Sequence, residues 1–159
     1  MPKQARIKTT AGEIVIRFFP EVAPRHVANF CDLVSKGFYN GQIFHRCVKD
    51  FIIQGGCPRG DGTGGPGYAI NAEFNSKKHL KGAVSMCRTR DINSAGSQFF
   101  IVLHKHADYL DYQYTVFGEV VSGLDVANKI ANVGVQGDRP LHPLTMQILL
   151  EDGVSDSPT

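Results

Sequence analysis

The sequence predicts a mainly β protein, a closed antiparallel eight-stranded β-barrel capped by two α-helices. Two observations predict it. Seven or eight short stretches alternate apolar and polar residues or are rich in β-branched and aromatic side chains, and only two stretches carry the spacing of an amphipathic helix. So many short strands with so few helices are best buried by closing the sheet on itself. At 159 residues the chain suits one domain, 1–152, large enough to bury a core without staples. A polar tail over 153–159 is expected to be flexible.

Residues 5–10 and 13–19, ARIKTT and EIVIRFF, flank Ala11-Gly12 as an opening hairpin that Pro20 ends. From Pro24 the period changes: Val27, Phe30, Cys31 and Val34 form one buried helical stripe. Pro24 suits the first turn, and Gly37 suits the left-handed position just past the end. Residues 38–42 form a turn, and 43–47 and 51–54 read as paired strands. Residues 55–67 hold seven glycines and two prolines, too many for a regular element, and so form a long structured loop. No helical period follows over 68–74, which argues against a phosphate-binding glycine loop. Further strands are expected over 83–87, 98–103, 115–121 and 145–151. A single helical turn or tight loop falls at 107–111. A second amphipathic helix over 125–131 buries Val126, Ala127, Ile130 and Ala131.

The composition, 42% hydrophobic and 20% charged with a formal net charge of +2, is that of an ordinary soluble globular protein. Lys and Arg are scattered without a run of five, so nucleic acid is not an expected partner. No stretch approaches the ~18 apolar residues of a membrane span, and Lys3, Arg6 and Lys8 have no apolar segment behind them. Cys31, Cys47, Cys57 and Cys87 show no C-x-x-C or finger spacing. A cytoplasmic monomer with free thiols is the expectation.

Two strands carry the functional signal. In FHRCVKDFIIQGG, residues 44–56, a permanently charged Arg46 and the amide of Gln54 interrupt an apolar run. Alternation puts Ile52 and Gln54 on one face and Ile53 on the other. In GSQFFIVL, residues 96–103, Gln98 and Phe100 share one face while Phe99 and Ile101 enter the opposite one. Together they describe a shallow apolar pocket rimmed by Arg46, Gln54 and Gln98, suited to a small apolar group flanked by carbonyls.

These runs, with GTGGPGY, the SM…GSQFFI block and VFGEV in the same order and spacing, resemble the cyclophilins, the cyclosporin-binding family of peptidyl-prolyl isomerases. The resemblance covers residues 5–151 and is closest to small single-domain members. It implies rotation about X-Pro bonds in peptides and folding proteins, without metal or cofactor. It assigns the catalytic set to Arg46, Phe51, Gln54 and Phe100. The proline pocket and peptide groove fall to Ile52, Gly62, Cys87, Arg88, Thr89, Gln98, Tyr109, Leu110 and Tyr114. Several of these depart from the common pattern. Tyr109 stands where many members carry Trp, Tyr114 where many carry His, Ile52 where many carry Met and Arg88 where many carry Asn. The 88–93 loop is also about one residue longer. Reduced cyclosporin affinity is therefore expected.

Other chemistries are thinly supported. Ser97 lies in no nucleophile elbow and no His is specially placed, which disfavours a hydrolase. His104, His106 and a Cys make a poor zinc set. The serious alternative is a non-catalytic proline-peptide-binding module or holdase, which would use the same apolar floor and tolerate loss of the Arg46 charge.

Overall fold

The computed structural model describes residues 2–152. The chain runs β1 (Gln4–Thr9), β2 (Gly12–Phe18), α1 (Pro24–Ser35), β3 (Phe44–Val48), β4 (Ile52–Gly55), β5 (Ala83–Met86), β6 (Phe99–Val102), a 3-10 turn η1 (Asp108–Leu110), β7 (Thr115–Ser122), α2 (Leu124–Ala131), β8 (Val135–Gln136), β9 (Arg139–Pro140) and β10 (Met146–Glu151). The tail expected over 153–159 lies outside the described residues.

Local chemistry sets the element ends. Pro24 opens α1, and the carboxylate of Glu73, from a distant loop, accepts the backbone N–H groups of Arg25 at 3.2 Å and His26 at 2.8 Å. A partner far along the chain thus caps the first turn. Past the other end Gly37 sits at φ +73°, with Phe38 N–H donating to Leu33 O and Gly37 N–H to Val34 O, both at 3.0 Å. This is the Schellman closure that a glycine one residue beyond the helix permits.

Eight strands form one antiparallel sheet in the order β10-β1-β2-β7-β5-β6-β4-β3. Its inner face and both helices bury one core centred on Phe30, whose ring lies 5.0 Å from Tyr39, 5.3 Å from Phe117 and 5.6 Å from Phe99. A smaller apolar cluster of Phe19, Ile52, Ala83, Phe100, Val102, Ala107, Leu110 and Val116 occupies the outer face. The site described below is built on that second cluster.

The expected closed barrel is corrected by an open, strongly curled half-barrel. The edge strands β3 and β10 are not neighbours in the sheet; the chain segments leading into them meet at one isolated bridge, Ile43 to Thr145. There Phe44 N–H donates to Leu144 O at 3.2 Å and Met146 N–H to Gln42 O at 2.8 Å. Beyond it, Cys47 N–H on β3 donates to Asp138 O at 2.7 Å, in the turn between β8 and β9, and Ile148 N–H on β10 to Asn40 Oδ1 at 3.2 Å. With loops satisfying both edges, no ladder is needed to close them. The β8–β9 hairpin was not among the expected elements.

Candidate functional site

A β-bulge aims Arg46 into the site. In plain alternation Phe44 and Arg46 would share a face. The pairing instead runs Phe44 to Gly55 and then Arg46 to Gln54, two steps on β3 against one on β4, so His45 is the extra residue. Phe44 turns into the core and Arg46 turns out.

From Arg46 a row crosses the outer face through direct pairs: Arg46 beside Gln54, Gln54 beside Phe100, and Phe100 beside Ser85. Arg46 Nη1 donates to Gln54 Oε1 at 3.4 Å, and Gln54 Nε2 to Gln98 Oε1 at 3.2 Å. Gln98 Nε2 in turn donates to the carbonyls of Gly62 at 2.8 Å and Gly64 at 2.9 Å. A chain of amides therefore ties the guanidinium to the glycine-rich loop. On its other flank Arg46 Nε donates to Asp138 Oδ2 at 3.4 Å.

Every residue expected at the site lines one of two adjoining hollows. The first, about 450 Å³, has Ile52, Phe100 and Leu110 as floor and Arg46, Phe51, Tyr109 and Tyr114 as walls. The second, about 300 Å³, includes Gly62, Thr89 and Gln98. Gln54, Cys87 and Arg88 line both and form the saddle between them. The first holds aromatic rings in ordered contact: Tyr109 stacks on Phe51 at 6.2 Å, and Tyr114 meets Phe100 edge-on at 5.6 Å. Arg88 lies over the Tyr114 ring at 4.9 Å.

Residues whose sequence spacing carries no signal of a site support this floor. His79 is fully buried and stacks on Phe100 at 6.0 Å. Its ring nitrogens lie 3.0 Å from Asp111 Oδ1 and 3.0 Å from Ser85 Oγ. Asp111 accepts from the His79 backbone N–H at 2.7 Å and stands 2.7 Å from His106 Nε2. Burial holds His79 below the ordinary histidine range, against the opposing pull of Asp111, so the ring is neutral near pH 7. The donor inventory then assigns Nδ1–H to Asp111 and leaves Nε2 to accept from Ser85. Burial works against the Asp111 charge, but the His79 N–H and the two imidazoles outweigh it and keep its pKa below the usual carboxylate value.

Ser85, His79 and Asp111 thus have the connectivity of a hydrolytic triad, but Ser85, the strand neighbour of Phe100, is fully buried and no substrate carbonyl can reach its Oγ. Ser97 donates to Gly56 O at 2.7 Å and pairs with no histidine among the described residues. Among the described residues no group of three or more His, Cys, Asp or Glu side chains is placed to hold a metal ion.

The chain matches the family model "Cyclophilin type peptidyl-prolyl cis-trans isomerase/CLD" over residues 4–149. It is 48% identical over 123 residues to peptidyl-prolyl cis-trans isomerase B of Bacillus subtilis, covering 76% of this chain and 85% of that protein. It is 46% identical over 139 residues to a peptidyl-prolyl cis-trans isomerase of Helicobacter pylori, covering 84% and 81%. A crystal structure of a Cryptosporidium parvum cyclophilin-type isomerase superposes with a TM-score of 0.90 at 29% identity, over 97% of this chain and all of the other. The same protein in the presence of the dipeptide Ala-Pro gives 0.89 at 30% identity, over 94% and 99%.

Proposed function

Because the chain belongs to the cyclophilin-type peptidyl-prolyl cis-trans isomerases, we propose that the hollow floored by Phe100 seats the proline ring and that Arg46 serves the twisted amide. The activity is cis–trans isomerisation of X-Pro peptide bonds. The observation that carries the assignment is the row of Arg46, Gln54 and Phe100, a cation, an amide and an apolar floor side by side on adjacent strands.

Rotation about the bond breaks amide resonance against a barrier of roughly 18–20 kcal/mol, and no bond is made or cut. The enzyme has only to bind the twisted amide better than the planar one. When the prolyl nitrogen leaves conjugation its lone pair localises, and an Arg46 N–H donates to it. A charge-assisted bond is worth about 1.5–3 kcal/mol, a factor of roughly ten to a hundred. Two further effects supply the rest. The ring is clamped by Phe51, Ile52, Phe100 and Leu110 while the preceding carbonyl swings, and the drier hollow favours the less polar twisted state. Gln54 and Asp138 orient the guanidinium; Cys87 and Arg88, just beyond β5, offer main chain to an extended peptide.

Proline-containing peptides and folding proteins are the substrates in this reading, supported by the related Cryptosporidium parvum structure in the presence of the dipeptide Ala-Pro. Tyr109, 64% exposed and offering a phenol in place of an indole N–H, supports a reduced affinity for cyclosporin. A reducing cytoplasmic setting suits four free cysteines, two of which, Cys31 and Cys47, have thiols pushed by burial up to about 11. NMR titration with an Ala-Ala-Pro-Phe peptide tests the seat. Shifts centred on Phe51, Phe100 and Leu110 with line-broadening exchange are expected; shifts confined to the second hollow overturn the assignment.

A further inference from the structure

Arg88 occupies the saddle between the two hollows, where a chain leaving the proline seat toward the second hollow must pass. Its head group is fixed: Nε donates to Gln113 O at 2.7 Å, Nη1 donates to Thr89 O at 2.9 Å, and the guanidinium lies on Tyr114. Carbonyls and a ring face orient the charge without cancelling it. Among the described residues no carboxylate stands within ion-pair distance of Arg88, and the acidic groups nearby are engaged elsewhere. Asp91 accepts from Asn93 N–H in its own loop, Asp61 from Thr63, Asp111 is held by two histidines, and Asp138 faces Arg46.

The loop that carries Arg88 is locked by its own side chains. Thr89 N–H and Ser94 Oγ are 2.8 Å apart, Ser94 Oγ donates to Asp91 O, and Asn93 Oδ1 accepts from Ala72 N–H. The cation is therefore fixed, half-buried and, among the described residues, without an ion-pair partner, between the two hollows.

We infer that Arg88 is a specificity residue that favours an acidic side chain on the residue directly before the proline. This rests on the reading that the Phe100 hollow takes the proline ring. An extended peptide advances about 3.3 Å per residue, so when its N-terminal side runs toward the second hollow the residue preceding a seated proline crosses the saddle. A carboxylate there meets a pre-positioned guanidinium in a partly desolvated setting, where the attraction exceeds that of a fully exposed pair. A lysine at the same position meets like charge.

The test is NMR exchange on Ala-X-Pro-Phe peptides with X as Glu, Ala or Lys, for wild type, Arg88→Gln and Arg88→Lys. The reading is the ratio of kcat/KM values within each protein, so changes in overall activity cancel. In wild type Glu is expected to exceed Ala about three- to tenfold and Lys to fall below Ala, with the spread shrinking at high salt. Arg88→Gln should bring the ratios close to one, and Arg88→Lys should keep their order. If wild type accelerates all three peptides equally, or if Arg88→Gln keeps the Glu preference, the inference is overturned while the isomerase assignment stands. If wild type accelerates none, it is the proline seat that fails.

Discussion

Removal of the Asp111 carboxylate probes how the proline hollow is supported. In Asp111→Ala, the His79 backbone N–H and Nδ1–H lose their acceptor at 2.7 and 3.0 Å, inside a fully buried residue. Each orphaned donor costs about 1–3 kcal/mol. Because the Asp111 side chain is 10% exposed and its other partner His106 is 38% exposed, water can reach part of the void. The lower part of the range then applies, about 2–3 kcal/mol in total, or a fall in Tm of roughly 5–10 °C for a chain of this size. Asp111→Asn keeps an oxygen for both His79 donors and should lose about 1 kcal/mol. Since Asp111 follows η1, which carries Tyr109 and Leu110, the alanine variant should also raise KM for an Ala-Pro peptide several-fold with less change in kcat. Thermal unfolding followed by circular dichroism, with peptide kinetics on the same samples, measures both. An alanine variant melting within 2 °C of wild type, or an asparagine variant as damaged as the alanine one, would show that Asp111 does not hold His79 beneath the hollow.

Gly56 sits at φ +92°, and a Cβ there would overlap the Ser97 carbonyl oxygen, so Gly56→Ala should cost several kcal/mol and disturb the neighbouring Gln98; chemical denaturation measures the loss, and a cost under 1 kcal/mol contradicts it. Burial lowers the pKa of His26, His45 and His79, with Glu73 and Asp111 only partly offsetting this at His26 and His79 and the nearby Arg139 and Arg46 adding to it at His45. The folded state then binds fewer protons than the unfolded one below the unfolded histidine value of about 6.5. Stability is complete above that pH and is lost as pH falls through it, by at most about 1.4 kcal/mol per unit for each ring. Melting temperatures between pH 7.5 and 5 should decline, and a flat profile speaks against it. Tyr109→Trp, which restores an indole N–H at the rim, should tighten cyclosporin binding by calorimetry; unchanged or weaker binding removes Tyr109 as the cause of the reduced affinity.

What the sequence made legible was periodicity. Phe99 inward and Phe100 outward, the α1 stripe and the glycine beyond its end all follow from counting residues. Three features escaped it for physical reasons. The bulge at His45 breaks the alternation on which the count depends, so only the pairing with β4 shows why Phe44 and Arg46 part company. The β8–β9 hairpin has strands of two residues, too short for any period; the Gly137-Asp138 turn, with Gly137 at φ +65°, was its one available signal. That same hairpin supplies Asp138 to Arg46 and helps replace barrel closure. The third is the support beneath Phe100. His79, Ser85 and Asp111 come from separate elements, and nothing in their spacing marks them as partners.

In the proposed mechanism Arg46 stabilises the twisted amide while the Phe100 hollow binds the ring. NMR exchange on Ala-Ala-Pro-Phe, with binding titrated in parallel, measures both for wild type and Arg46→Ala. The variant is expected to bind the peptide within a few-fold of wild type and to lose roughly ten- to a hundredfold in catalysed exchange. If the variant retains full exchange, or if wild type binds without accelerating it, Arg46 is not the group that stabilises the twisted amide.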